Sequence, residues 1–399
     1  MTFSFEDLGA LLMIAALVAM LTRRLHVPYS VGLVATGIFL AMSPLELDIK
    51  LTKELIFTTL LPPLIFEAAF FLHWQELRRD FWLITTLASL GVVLSAAVTA
   101  VGMHFLGGWQ WMGALVFGVL IAATDPVSVI ATFKEAGVHG RLRILVEAES
   151  LFNDGVAAVL FSVAIAIAAG QAVTPVFVGL ELLKTVGGGI LCGGLVGTAL
   201  LFLAGRTTDH LVEITFTTIA AYGSFLVAEH FHVSGVLATL TAGLIMGNIG
   251  TAGAISTRGR EAVESFWEYV AFVANSLIFL LIGVREEQQN FSELWMVALL
   301  AIVLVMIGRA VAIYPTCVLF AGSRLRVSAH HQHVLVWGGL RGALGLALAL
   351  GLPENVPHHD AIVTVAFAVV AFSIFAQGLS MTPMLRRIGE IPPHAHHKE

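Results

Sequence analysis

Residues 121–155 read IAATDPVSVIATFKEAGVHGRLRILVEAESLFNDG. Asp125, Glu149 and Asp154 fall here inside, or at the edge of, two strongly apolar runs. Holding a carboxylate at the centre of a lipid-embedded helix costs roughly 2.5 to 3.5 kcal/mol on insertion scales, so a cluster of them calls for a reason. Pro126 follows Asp125 directly. Proline removes a backbone donor and crowds the preceding turn, which predicts an interrupted helix beside the acid. Carbonyls freed by such a break, next to a carboxylate at membrane depth, suit a small desolvated cation.

The rest of the chain puts that stretch in a membrane. Of 399 residues, 58% are hydrophobic and only 12% are charged, whereas a soluble domain carries about a quarter charged residues. Apolar runs recur from end to end, leaving no room for a sizeable soluble domain. No enzymatic activity, resident cofactor or nucleic-acid partner is expected. Cys192 and Cys317 both sit in apolar runs and read as ordinary buried thiols rather than a disulfide or a metal site.

Thirteen apolar segments are predicted, at approximately 6–22, 27–42, 52–72, 81–106, 111–133, 145–169, 174–204, 211–229, 233–249, 263–284, 293–320, 331–352 and 360–385. The first is no cleavable signal, because Glu6 and Asp7 lead it and Arg23 and Arg24 follow it. Assigning alternate connections to the cytoplasm collects fifteen of the 21 basic residues there and leaves three outside. The other three, Lys184, Arg309 and Arg341, fall within segments. That asymmetry is what the positive-inside rule expects, with the N-terminus outside and the C-terminus in the cytoplasm.

The twelfth segment offers a second break. Gly338, Gly339, Gly342 and Gly345 surround Arg341 in VLVWGGLRGALGLALALG, and glycine both weakens helices and permits close backbone approach. The two breaks lie seven segments apart, an odd offset that reverses membrane direction. The expected fold class is therefore an all-α polytopic membrane protein of about thirteen transmembrane helices. Segments 1–6 and 8–13 form inverted-topology repeats, each with a broken helix, around segment 7. The histidines of His330-His331-Gln332-His333 and His394-Ala395-His396-His397 read as solvated loop residues, lacking the spacing of a metal site.

Chemistry concentrates on the sixth segment. Ser150 and Asp154 are four apart and share one helix face, and Glu149 and Asn153 form a second such pair on the adjacent face. Asp154 should lie about two turns in, roughly 10 Å from the helix start. Ser150 and Asn153 taken singly could simply bond across to neighbouring helices. Asp154, near a broken helix bearing Asp125, reads as functional. Glu67 lies four residues beyond Pro63 and either points into the site or pairs with an intramembrane arginine. Glu147 reads as interfacial and Lys184 as snorkelling outward. Desolvation raises a carboxylate's pKa and a nearby arginine lowers it, so a group between them can exchange protons near neutrality. Glu149 is expected to be the arginine-paired acid and Asp154 the titrating one; Arg309 is taken as the partner, although the pattern does not distinguish it from Arg341.

ATDPV at 123–127, ESLFNDG at 149–155, FWEYVAFVANSLIFLLIG at 266–283 and GGLRGAL at 338–344, in this order, resemble the bacterial NhaP-type sodium/proton antiporters, relatives of the animal sodium/proton exchangers. The resemblance implies a homodimer with two crossing broken helices in a mobile core. Its dimerisation helices would be 1–80, the first core half 81–170, the connector and further dimerisation helices 171–290, the second core half 291–387, and a short cytoplasmic tail 388–399. Asp154 would take a proton or a cation in turn, with Asp125, Ser150, Glu67 and the Thr124 carbonyl completing a Na+ site. Asn153 stands where electrogenic relatives have a second aspartate, which implies electroneutral exchange of one cation for one proton. Glu149 with Arg309 would be a structural pair, and Arg341 would support the core. With no long cytosolic tail, pH response is expected to arise in the membrane domain.

The function expected is thus antiport of Na+ against H+ across the cell inner membrane, among membrane lipids, with Li+ or K+ as alternative substrates. A cation channel would use acids similarly, but broken helices without a filter repeat favour a carrier. A non-transporting scaffold would tolerate Asp154→Asn.

Overall fold

The computed structural model describes residues 5–25, 27–42, 51–125, 129–130, 133, 137–138, 140–170, 174–287 and 293–391. Among these all regular secondary structure is helical, with no strand. In chain order the helices are α1 (Phe5–Leu25), α2 (Tyr29–Ala41), α3 (Leu61–Phe71), α4 (Trp74–Phe105), α5 (Trp111–Leu120), α6 (Arg141–Ala168), α7 (Pro175–Ala204), α8 (His210–His230) and α9 (Gly235–Ile245). They continue with α10 (Thr257–Glu287), α11 (Trp295–Leu319), α12 (Ala329–Trp337), α13 (Ala343–Leu350), α14 (His359–Phe372) and α15 (Leu379–Arg387). Wider π-helical turns precede α3, at Leu55–Leu60, follow α9, at Met246–Ala254, and join α14 to α15, at Ser373–Gly378.

Each predicted apolar segment overlaps one or two of these helices, although in the fifth α5 fills only residues 111–120 and the segment's second half lies partly outside the described residues. Among the described residues eight helical stretches, α1, α4, α6, α7, α8, α10, α11 and His359–Arg387, are long and apolar enough to cross a membrane unaided. Tyr29–Ala41, Leu55–Phe71, Trp111–Leu120 and Gly235–Gly250 are shorter apolar helices. The outward faces carry large apolar side chains such as Phe39, Trp82, Leu183 and Leu195. Water penalises such a surface and a bilayer accommodates it. Helix starts in the connections are capped by side chains: Asp209 accepts from the Leu211 N–H, Ser234 from Leu237 and Ser328 from His331.

The chain forms two compact units. The first comprises Met1–Leu51, Trp82–Asn153 and Ser276–Glu399. Within it α2 lies directly against the second half of α10. Gly37 and Gly283 face each other so closely that a Cβ on either would meet the other's backbone, and Tyr29 Oη bonds Ser276 Oγ at 2.7 Å. The second unit comprises Thr52–Phe81 and Asp154–Asn275. Its core is built on Phe66, Phe70, Met246 and Trp267. The Phe66 and Trp267 rings lie 4.5 Å apart, and the indole N–H of Trp267 donates to Thr217 Oγ1 at 3.0 Å. Such a bond lets an indole be buried without stranding its donor.

Candidate ion site

Both predicted breaks are present. α5 ends at Leu120, the backbone is non-helical from Ala123 to Asp125, and Val129 and Ile130 are helical. Pro126 itself lies outside the described residues. α12 ends at Trp337, Gly339–Gly342 are non-helical, and α13 starts at Ala343. A break strands the last carbonyls of each first half-helix, and in hydrocarbon these must find donors. The two unwound strands supply them to each other. The Asp125 N–H donates to the Leu340 carbonyl at 2.8 Å. Arg341 Nη1 donates to the Ala122 and Ala123 carbonyls at 3.0 and 3.3 Å, a cation at the negative end of α5. Gly342 is required here: a Cβ on it would run into the Asp125 carboxylate.

α6 passes the first break. Ser150 Oγ donates to the Thr124 carbonyl at 2.7 Å and lies 2.9 Å from Thr124 Oγ1. With the Ser150 proton on that carbonyl, the Thr124 hydroxyl is the donor between the two oxygens. Both residues are buried. Thr124 and Ser150 thus share hydroxyl and carbonyl oxygens at the break, and the next residue, Asp125, sets its carboxylate against Gly342. Among the described residues no three His, Cys, Asp or Glu side chains cluster as a metal site would need.

On the adjacent face of α6, Glu149 meets Arg309 of α11. Both guanidinium Nη atoms donate to the carboxylate, Nη1 to Oε1 and Nη2 to Oε2, each at 2.7 Å. Arg309 also donates from Nε and Nη2 to the Leu335 carbonyl, at 3.2 and 3.0 Å. The fork geometry satisfies both charges and holds the end of α12. Asn153 Nδ2 donates to Glu149 Oε1 at 3.4 Å. Its Oδ1 is buried and accepts no hydrogen bond among the described residues.

Asp154 and Glu67 belong to the second unit. Asp154 is buried and follows Ser150 by one turn on the same face of α6. It sits deeper than the sequence suggested. α6 begins at Arg141 rather than near 145, so thirteen residues, about 20 Å at the helical rise, precede Asp154. The segment's apolar run starts late because Arg141 and Arg143 belong to the helix's first turn, where Arg141 donates to the Leu325 and Arg326 carbonyls. Glu67 is half-buried on α3.

Other singled-out residues lie elsewhere. Glu147 is 3.7 Å from Arg143, and Lys184 is 3.6 Å from Glu181 on an exposed stretch of α7. His331 bonds Glu390 and His333 bonds Tyr314; the second histidine cluster, His394–His397, lies outside the described residues. Cys192 and Cys317 are free thiols. Sequence reasoning passed over Glu213, which is fully buried and accepts from the N–H and hydroxyl of Ser256, at 2.8 and 3.0 Å. Its place at the start of an apolar segment gives no local sign of that partner.

Comparison with known proteins agrees on one family. The family described as "Sodium/hydrogen exchanger, transmembrane" matches residues 11–387. The Na(+)/H(+) antiporter ApNhaP of Aphanothece halophytica is 38% identical over 377 residues, covering 94% of this chain and 72% of the relative. The low-affinity Na(+)/H(+) antiporter NhaS1 of Synechocystis is 36% identical over 411 residues, with 100% and 78% covered. The Na(+)/H(+) antiporter NhaP of Pseudomonas aeruginosa is 32% identical over 409 residues, with 94% and 96% covered. Among solved structures, the sodium proton antiporter MjNhaP1 of Methanocaldococcus jannaschii superposes with a TM-score of 0.76 at 19% identity. That superposition covers 96% of this chain and 98% of the other, a likeness of fold.

Proposed function

The chain belongs to the sodium/hydrogen exchanger family, and on that premise we propose that Asp154 is the carboxylate at which a monovalent cation and a proton compete. The protein is a multi-span membrane antiporter that exchanges Na+ for H+; it is a transporter and not an enzyme. Ionised Asp154 holds a desolvated cation together with oxygens of Asp125, Ser150, Glu67, Asn153 and the Thr124 backbone. Protonation of Asp154 removes the charge and releases the ion. One observation supports this site above others. Ser150, one helical turn before Asp154 on the same face, bonds the carbonyl that the α5 break sets free at Thr124.

Glu149 and Arg309 are the structural pair of this reading, and Arg341 supports the crossing. Asn153 supplies an amide and no second charge, which supports electroneutral one-for-one exchange. The working form is a homodimer in the lipid of the inner membrane, N-terminus outside. Residues 81–170 and 291–387 move as a core against 1–80 and 171–290, opening the site to alternate sides. These boundaries differ from the compact units, which group α1 and α2 with the crossing strands.

The test is proton flux in proteoliposomes carrying a preset pH gradient, wild type against Asp154→Asn, with Na+, Li+ or K+ added separately. Gradient collapse by Na+ in wild type alone, insensitive to clamping the membrane potential, is the expected result. Collapse by K+ only would keep the mechanism and change the substrate. Equal flux in the variant would remove Asp154 from the site.

A further inference from the structure

The π-helical turn Ser373–Gly378 lies in an otherwise apolar stretch between α14 and α15, and such turns recur at functional sites because they re-aim the side chains they carry. Gln377 lies within it and is 1% exposed, as is Ser373. A glutamine amide buried in a membrane helix must place its donors and acceptor on partners. Ser373 Oγ donates to Gln377 Oε1 at 2.8 Å. That bond fixes which way the amide faces, and Gln377 Nε2 donates to the carbonyl of Trp337 at 2.9 Å.

Trp337 is the last residue of α12, so its carbonyl is one of those the second break strands. Its indole N–H is held as well, by Ser380 Oγ at 2.8 Å. The end of α12 is thus fastened to the last helix through both backbone and side chain. Three residues further on, Leu340 receives the Asp125 N–H, and Arg341 reaches the Ala122 and Ala123 carbonyls. Where α12 stops therefore sets where the unwound strand meets Asp125. We propose that Gln377 is a positioning residue for the ion site: its amide, oriented by Ser373, anchors Trp337 and so holds the Gly339–Gly342 strand in register with Asp125. This rests on the transport reading above. The competing role is plain interhelical glue, which would affect stability and leave ion affinity alone.

Gln377→Leu keeps the volume and removes the donor; Ser373→Ala keeps the amide and frees its orientation. Apparent KM for Na+ and maximal rate are measured for both and for wild type in proteoliposomes. The expected result for Gln377→Leu is an apparent KM raised about tenfold, equivalent to about 1.4 kcal/mol, with the maximal rate within about twofold. Ser373→Ala should raise KM about threefold. Wild-type KM in both variants overturns the proposal, even if rate or thermal stability falls. Should Gln377→Leu fail to assemble, Ser373→Ala decides alone, unchanged KM again being the refutation. A wild type without cation-driven flux would instead sink the transport reading, and this proposal with it.

Discussion

Glu149 and Arg309 can be taken apart one at a time, and the arithmetic is set by who else touches them. Glu149→Gln leaves a guanidinium that is 5% exposed without its counter-charge, though still bonded to the Leu335 carbonyl. Removing one partner of a buried pair costs about 3–5 kcal/mol. Arg309→Met leaves the carboxylate with the Asn153 amide at 3.4 Å and also strands the Leu335 carbonyl, adding about 1–3 kcal/mol. In the double variant no charge is uncompensated and chiefly the Leu335 carbonyl remains unmet, a loss of about 1–3 kcal/mol. The singles thus sum to about 7 kcal/mol or more, and the double should fall short of that sum by at least about 4 kcal/mol. The assay is reversible unfolding of the four proteins in mixed micelles, followed by tryptophan fluorescence. Effects that add to within about 0.5 kcal/mol would refute the argument, since independent sites behave that way.

Three further outcomes are expected. At subsaturating Na+ the exchange rate should climb between about pH 6 and pH 8.5, because deprotonation restores the charge that holds the ion and protonation cancels it; a flat profile would contradict competition at one carboxylate. Gly342→Ala drives a methyl group into the Asp125 carboxylate and should cost at least about tenfold in flux. Gly187→Ala, where a Cβ meets nothing, should match wild type. If Gly342→Ala transports normally, the close approach of the two strands plays no part in exchange.

Some of this architecture was written locally. Proline after Asp125 and the glycines closest to Arg341, Gly339 and Gly342, weaken helices wherever those helices go, because the backbone itself is altered there, whereas Gly345 lies inside α13. The four-residue spacing of Ser150 and Asp154 puts them on one face of any helix that forms. The start of α6 was misread by four residues because an apolar window loses arginines that the helix keeps. Lengths and ends are sensitive to such charged flanks, whereas the existence of an apolar helix is not.

What the sequence determined by itself was therefore the membrane class, the helical runs, the two breaks and the acids beside them, all properties of neighbours along the chain. Only the tertiary structure decided that Arg309 faces Glu149 while Arg341 reaches Ala122 and Ala123. The two arginines have the same charge and similar apolar surroundings, so sequence pattern does not distinguish them. Gln377 and Trp337 are forty residues apart and share no periodicity. Which side chain meets which carbonyl across such distances depends on how each helix is rotated and packed, and that is fixed by the summed contacts of many residues rather than by any one stretch.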